Sequence, residues 1–169
     1  MDFFRRISGA GQTQNLRATS SLDLLRSYAG TVEKYLLDIG VDVPKTRKSL
    51  DNGYLYQFYF GSARVEIAVM RTEKERQGMQ EVIQVYSPLL HVPEGTLVAF
   101  YRRLLEENLK LSQAAFGVAG DVVYVYAERP LADLSPSELK DLIEAVARVA
   151  DAKDNELASE FGARLYQQP

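Results

Sequence analysis

The run Tyr54-Leu55-Tyr56-Gln57-Phe58-Tyr59-Phe60-Gly61-Ser62-Ala63-Arg64-Val65-Glu66-Ile67-Ala68-Val69 alternates around a glycine–serine pair. Period two is the signature of a strand with one buried face, and a two-residue link beginning with glycine suits a type II′ hairpin. That turn sets Phe60 opposite Ala63, Phe58 opposite Val65, Tyr56 opposite Ile67 and Tyr54 opposite Val69. All eight then share one face, and a slip of one residue would expose them together. The other face pairs Tyr59 with Arg64, Gln57 with Glu66 and Leu55 with Ala68, and is more polar.

Outward from the hairpin the periods change. Leu25, Tyr28, Val32, Tyr35, Leu36 and Ile39 recur at helical spacing after a capping-box pattern at Ser20 and Asp23, and Gly40 supplies the stop. Arg71 to Gly78 reads as a charged hairpin loop, and Gln80 to Ser87 as a third strand ended by Pro88. Pro93 opens a second helix, whose wide apolar face is Leu97, Phe100, Tyr101, Leu104, Leu105 and Leu109. Ala114, Phe116 and Val118 alternate again, as do Val122, Tyr124 and Tyr126 across Gly120-Asp121, which predicts a second hairpin. Ser135-Pro136-Ser137-Glu138 caps a third helix carrying Leu139, Leu142, Ile143, Val146, Val149 and Ala150. The order α-β-β-β-α-β-β-α, with segregated hairpins, predicts an α+β domain with an antiparallel sheet packed against helices. Residues 1–20 read as a flexible tail, and residues 21–169 as the single domain. Phe3, Phe4 and Ile7 beside Arg5 and Arg6 sketch a membrane-surface foot too short to hold alone.

Composition removes most chemistry. The chain has 169 residues, 46% hydrophobic and 25% charged, which suits one globular domain. Zero cysteines exclude disulfides, thiolate zinc, iron–sulfur clusters and cysteine nucleophiles, and the single histidine excludes multi-histidine metal sites. The expectation is therefore no cofactor and no metal. A net charge of −3 argues against nucleic-acid binding. No apolar run is long enough to span a membrane, and the first residues lack a signal peptide's apolar core, so the chain reads as cytoplasmic.

No catalytic constellation survives inspection. Glu66, Glu81 and Glu128 are strand carboxylates best read as solvent-facing, and His91 stands alone after Pro88-Leu89-Leu90. Ser62 and Ser112 have no neighbouring histidine and no nucleophile-elbow pattern, and phosphate-cradling glycine loops are missing. The aromatic stripe lacks the lysines and arginines of a base-stacking platform.

The element order, with Leu104-Leu105-Glu106-Glu107-Asn108-Leu109 ending the second helix and Ala114-Ala115-Phe116-Gly117 opening the fourth strand, resembles the YbjN-like proteins. Val149-Ala150-Asp151 and Leu157-Ala158-Ser159-Glu160-Phe161-Gly162 suit that family's third helix. The resemblance, over about Leu22 to Gly162, implies a fold similar to type III secretion chaperones in a family described as bacterial sensory transduction regulators. Asn108 at the helix–strand junction reads as a backbone-bonding residue, with ligand binding the other possibility.

Leu55, Tyr59, Met70, Tyr86, Tyr124 and Tyr126 remain for the less buried sheet face or its edges. Tyrosine and methionine favour interfaces because they join apolar area to a polar tip or to adaptability. They point to a non-enzymatic module, chaperone-like or regulatory, that holds a peptide or partner protein as a homodimer. The alternative is a small-molecule sensor or unrecognised enzyme with a pocket between the second helix and the sheet.

Overall fold

The computed structural model describes residues 15–75 and 77–166, with side chains described from Ser21 onward. The elements are α1 (Asn15–Asp38), α2 (Val43–Thr46), β1 (Arg47–Leu50), β2 (Gly53–Phe60), β3 (Ala63–Lys74), β4 (Gly78–His91), α3 (Leu97–Asn108), β5 (Ala115–Ala119), β6 (Val122–Pro130) and α4 (Pro136–Phe161). The strands form one antiparallel sheet in the order β1-β2-β3-β4-β6-β5, and the fold is α+β.

The central alternation holds in β2 but not in β3. Glu66 and Ala68, expected on the more polar face and Glu66 read as solvent-facing, are buried as well, while Tyr54 and Phe60 are only half-buried. Tyr56, Phe58, Ala63, Val65, Ile67 and Val69 are all buried, whereas Tyr59 is 59% exposed. Gly61 takes φ +57° while Ser62 keeps a negative φ, as a type II′ turn requires.

The chain divides into two compact units. The first holds the described residues up to Gln57, Ile67–Gln84 and Glu128–Lys140. Its core includes Leu25, Val32 and Leu36 of α1, Ile67 and Val69 of β3, and Leu131 and Leu139. Here α1 is tied to the strands through Glu33, which accepts from the Tyr56 hydroxyl and from Arg47 Nη1, each at 2.8 Å. Tyr28 donates to the Leu134 carbonyl at 2.6 Å.

The second unit holds Phe58–Glu66, Val85–Ala127 and the chain from Asp141. Phe100 of α3 meets Phe161 of α4 edge-on with ring centres 5.1 Å apart. The β2–β3 turn is pinned to α4, since Ser62 donates its amide to Asp151 Oδ1 at 2.9 Å and its hydroxyl to Asp154 Oδ2 at 3.0 Å. A side chain at position 61 would sit 2.1 Å from Asp151 Oδ1, so glycine is needed for both space and φ. Ser135 and Glu138 form the expected reciprocal capping box of α4.

Several boundaries differ from the sequence reading. Helix α1 is already formed at Asn15, the first described residue, so Ser20 lies inside it and is not its cap; Leu16, Arg17 and Ala18 are good helix formers. The rest of the expected tail, with Phe3, Phe4 and Ile7, lies outside the described residues. Residues 43–50 contribute a short helix and an extra edge strand. Strand β1 is exposed throughout and carries no apolar period; Arg47 holds it, its guanidinium 4.6 Å over the Tyr54 ring. The charged connection after Met70 is largely strand: β3 runs to Lys74, with Thr72 buried. Lys74 Nζ is 2.6 Å from Glu128 Oε2 of β6, an ion pair that reaches across the intervening β4. Pro88 does not end β4 either. Proline removes only its own donor, and beyond it His91 donates to Arg164 O and Val92 to Asp121 O, both at 2.8 Å. Helix α3 starts at Leu97 with Thr96 at its N-cap position, so Pro93 precedes the helix and does not open it.

Candidate functional site

In the second unit, pleating turns Tyr59, Arg64, Glu66, Tyr86 and Tyr124 away from the face that carries Phe58 and Val65. Tyr86 and Tyr124 meet edge-on with ring centres 6.4 Å apart. Glu66 is buried and paired with Arg64. Burial first, and then the neighbouring Glu66 carboxylate, holds the Tyr86 hydroxyl protonated far above the ordinary phenol range. Tyr124 is raised too, by burial and then by Tyr166 and Glu66. These phenols are hydrogen-bonding surfaces, not bases.

Beside them lies a cleft of about 300 Å³. It is walled by Tyr59, Ala63, Arg64, Pro88, Leu89 and Tyr166, with Ser62, Asp154, Asn155 and Leu165 completing it. Tyr166 stacks on His91 at 5.8 Å, and the Arg64 guanidinium lies 6.0 Å from its ring centre. His91 in turn contacts Asp121 through Nδ1 at 2.9 Å, and that hydrogen bond lowers the Asp121 carboxyl.

In the first unit, Leu55 is half-buried and Met70 buried. In the same unit Glu128 accepts from Lys74 at 2.6 Å and from Gln84 at 2.7 Å. Of the residues singled out in the sequence, Tyr59 is the one the structure leaves broadly open. Tyr124 and Tyr126 are half-buried, and Tyr86 is only 7% exposed, so Tyr86 supports its neighbours more than it meets solvent. The remaining cleft residues, especially Leu165 and Tyr166, gave no signal in sequence because they follow α4 without any periodic pattern.

A second surface is the outer side of α3. Phe100 and Leu104 face inward, while Val98 (85% exposed), Leu105 (66%), Leu109 (88%), Leu97 and Tyr101 form an open apolar stripe. The expected apolar face is thus split between core and solvent. Asn108 bonds Phe116 at both backbone groups, accepting from its N–H at 2.7 Å and donating to its carbonyl at 3.2 Å. This is the backbone-bonding role, and it fixes α3 against β5.

Helix α3 is also tied to α4 by charge. Arg103 bonds Glu107, Glu156 Oε1 at 2.7 Å and Glu160 Oε2 at 3.2 Å. Glu107 is buried, with Lys110 Nζ at 2.6 Å and Lys153 Nζ at 3.5 Å. The hydrogen bond from Lys110, helped by Arg103 and Lys153, lowers its carboxyl from an ordinary 4.5 to about 2. A group depressed on folding stabilises above its unfolded value, so this contribution is lost as pH falls from 4.5 towards 2. Glu107→Gln is expected to cost about 2 kcal/mol at neutral pH and to flatten that acid limb. Urea melts across the acid range check this, and an unchanged pH profile in the variant would refute it.

Among the described residues, no cluster of histidine and carboxylate side chains is placed to hold a metal ion. No described helix is long and apolar enough to cross a membrane.

Residues 49–169 match the model of TY-Chap1, the T3SS (YopN, CesT) and YbjN peptide-binding chaperone 1 family. The chain belongs to this family. The fold agrees: a chain of the crystal structure of the ExsC–ExsE complex superposes with a TM-score of 0.55 at 17% identity. The match covers 81% of this chain and 95% of that one. No curated protein sequence matches the chain. Family and fold together make this a peptide-binding, chaperone-like module, with the type III secretion chaperone fold that the YbjN resemblance implied.

Proposed function

We propose that this chaperone-family chain is a non-enzymatic cytoplasmic module, a single domain acting as a homodimer, that holds an extended segment of a partner polypeptide beside its tyrosine-bearing strands. The observation that carries the reading is Tyr59, 59% exposed, standing at the wall of a cleft floored by Ala63, Pro88 and Leu89. An exposed ring beside an apolar floor and backbone edges is what an extended peptide needs: area for affinity and hydrogen-bonding groups for register. A protein of this fold also occurs in the ExsC–ExsE complex, so the fold is compatible with holding a partner. A regulatory role follows from the same act, since a partner held is a partner withheld. The cleft takes no residue from α3, so it lends nothing to a small-molecule or catalytic pocket between α3 and the sheet.

Tyr59 with Tyr86, Tyr124 and Tyr126 is the proposed contact set of the second unit, Tyr59 touching the partner and the more buried members supporting it, and Leu55 and Met70 are proposed as contacts of the first unit. Screening an array of random-sequence decapeptides against wild type and Tyr59→Ser tests this. The variant is expected to bind its best peptides about tenfold more weakly, with its melting temperature unchanged. Undiminished binding by a folded Tyr59→Ser would move the peptide elsewhere.

A further inference from the structure

We propose that Arg164–Tyr166 is a displaceable strand seated on the edge of β4, and that a partner peptide carrying an aliphatic residue followed by an aromatic one takes its place. The inference rests on the peptide-holding reading above, and adds which seat is used and what competes for it.

Strand β4 has 14 residues and its neighbour β3 has 12, so its final residues offer backbone groups to another strand. Leu165 forms an antiparallel bridge with Leu90. Tyr166 donates its N–H to Leu89 O, and His91 donates to Arg164 O, both at 2.8 Å. Two backbone bonds flanking one opposed pair are the arrangement by which extended peptides add to a sheet edge. The protein supplies this strand to itself.

The seat is better built than its occupant. Ala63, Leu89 and Leu90 are buried, and one aromatic ring stacks on His91 within reach of Arg64. The segment itself is short, Arg164 is exposed, and Leu165 and Tyr166 are only half-buried. It leaves α4 through Gly162, at φ +61°, with Ala163 N–H closing on Ala158 O at 3.0 Å. A segment joined by one left-handed glycine and held, among the described residues, by two backbone bonds and one half-buried ring opens at low free-energy cost. Tethering keeps it at high effective concentration, so only a peptide that fits the same seat displaces it. Its own sequence states that fit: an aliphatic side chain opposite Leu90, then a ring that stacks on His91 within reach of Arg64.

The chain has no cysteine, so Leu90→Cys with Leu165→Cys gives a single lockable pair at opposed bridge positions. A second variant, Arg164→Gly with Leu165→Ser and Tyr166→Gly, opens the seat. The probe is a fluorescent peptide of the sequence Gly162–Pro169, followed by anisotropy. The opened variant is expected to bind it at least about tenfold more tightly than wild type. The oxidised cysteine pair is expected to bind none, with binding recovered on reduction. Equal binding by oxidised and reduced forms, or a folded opened variant that binds no better than wild type, overturns the proposal. Should the opened variant fail to fold, the oxidised and reduced comparison carries the test. The decapeptide array separates the two readings: peptides held equally by locked and unlocked protein leave the peptide-holding function standing and sink the displaceable strand. An array that no form binds sinks both.

Discussion

Replacing Phe58 by alanine is expected to cost about 3 to 5 kcal/mol, the range for emptying a well-packed aromatic site. Phe58 is 4% exposed on the face that also carries Val65, which is fully buried. Removing the ring leaves a cavity in a sheet held rigid on both sides: the β2–β3 turn is fastened to α4 by the Ser62 bonds, and the strands cannot slide without inverting their faces. Collapse into the void is therefore limited, which places the expectation at the upper half of the mutational range. For a chain of this size the melting temperature should fall by about 10 °C or more. The adjacent substitution Tyr59→Ala removes a ring of similar size from the open face and is expected to stay within about 0.5 kcal/mol. Chemical denaturation of the two variants side by side is the measurement. A Phe58→Ala loss below about 1 kcal/mol would mean that the buried face has been misassigned.

That contrast also marks what could be read from the sequence. Period two survives folding because the pleat is local, so the burial of Tyr56, Phe58, Val65, Ile67 and Val69 was legible, whereas Glu66 and Ala68, on the face read as polar, are buried by neighbours that no local pattern shows. The capping box at Ser135 and Glu138 was legible for the same reason: both partners lie within one turn. Elements stabilised from outside were not. β1 has no apolar period and exists because Arg47 finds Glu33 and the Tyr54 ring, contacts invisible in a linear string. Lys74 reads as loop until Glu128 arrives from β6 to pair with it. Pro88 reads as a stop because proline lacks a donor, yet the strand beyond it is supplied by Arg164 and Asp121. At the candidate site the residue types were right, but burial was not: composition could pick out Tyr59 and Tyr86 alike, and only the fold distinguishes an open ring from a 7% exposed one. The seat at Leu89–His91 depends on chain segments more than 70 positions apart meeting at Leu90 and Leu165, which no local pattern encodes.

The α3 stripe carries the largest expected functional effect. Leu97, Tyr101, Leu105 and Leu109 recur every fourth residue, and Val98 widens the row. Side chains at that spacing lie on one side of a helix. Leu105 and Leu109 are 66% and 88% exposed, an unusual cost for one short helix to leave in water. In the proposed homodimer a second copy of the same helix would cover the row most economically, because a two-fold axis opposes each residue to its own stripe and closes the assembly at two. Arg102 and Glu106, paired at 2.8 Å, border the stripe with charges of both signs, which suits antiparallel juxtaposition of identical helices. Leu105→Glu with Leu109→Glu would set four like charges near the axis while disturbing little inside the monomer, whose α3 is held by Phe100, Leu104 and the Arg103–Glu107 pair. Dimer affinity should fall by about 100-fold or more, with the unfolding midpoint of the monomer little changed. Sedimentation equilibrium over a wide concentration range reads the affinity, and chemical denaturation reads the midpoint. Wild type that stays monomeric at high concentration would remove the dimer, and a doubly charged variant that still dimerises would move the axis away from α3.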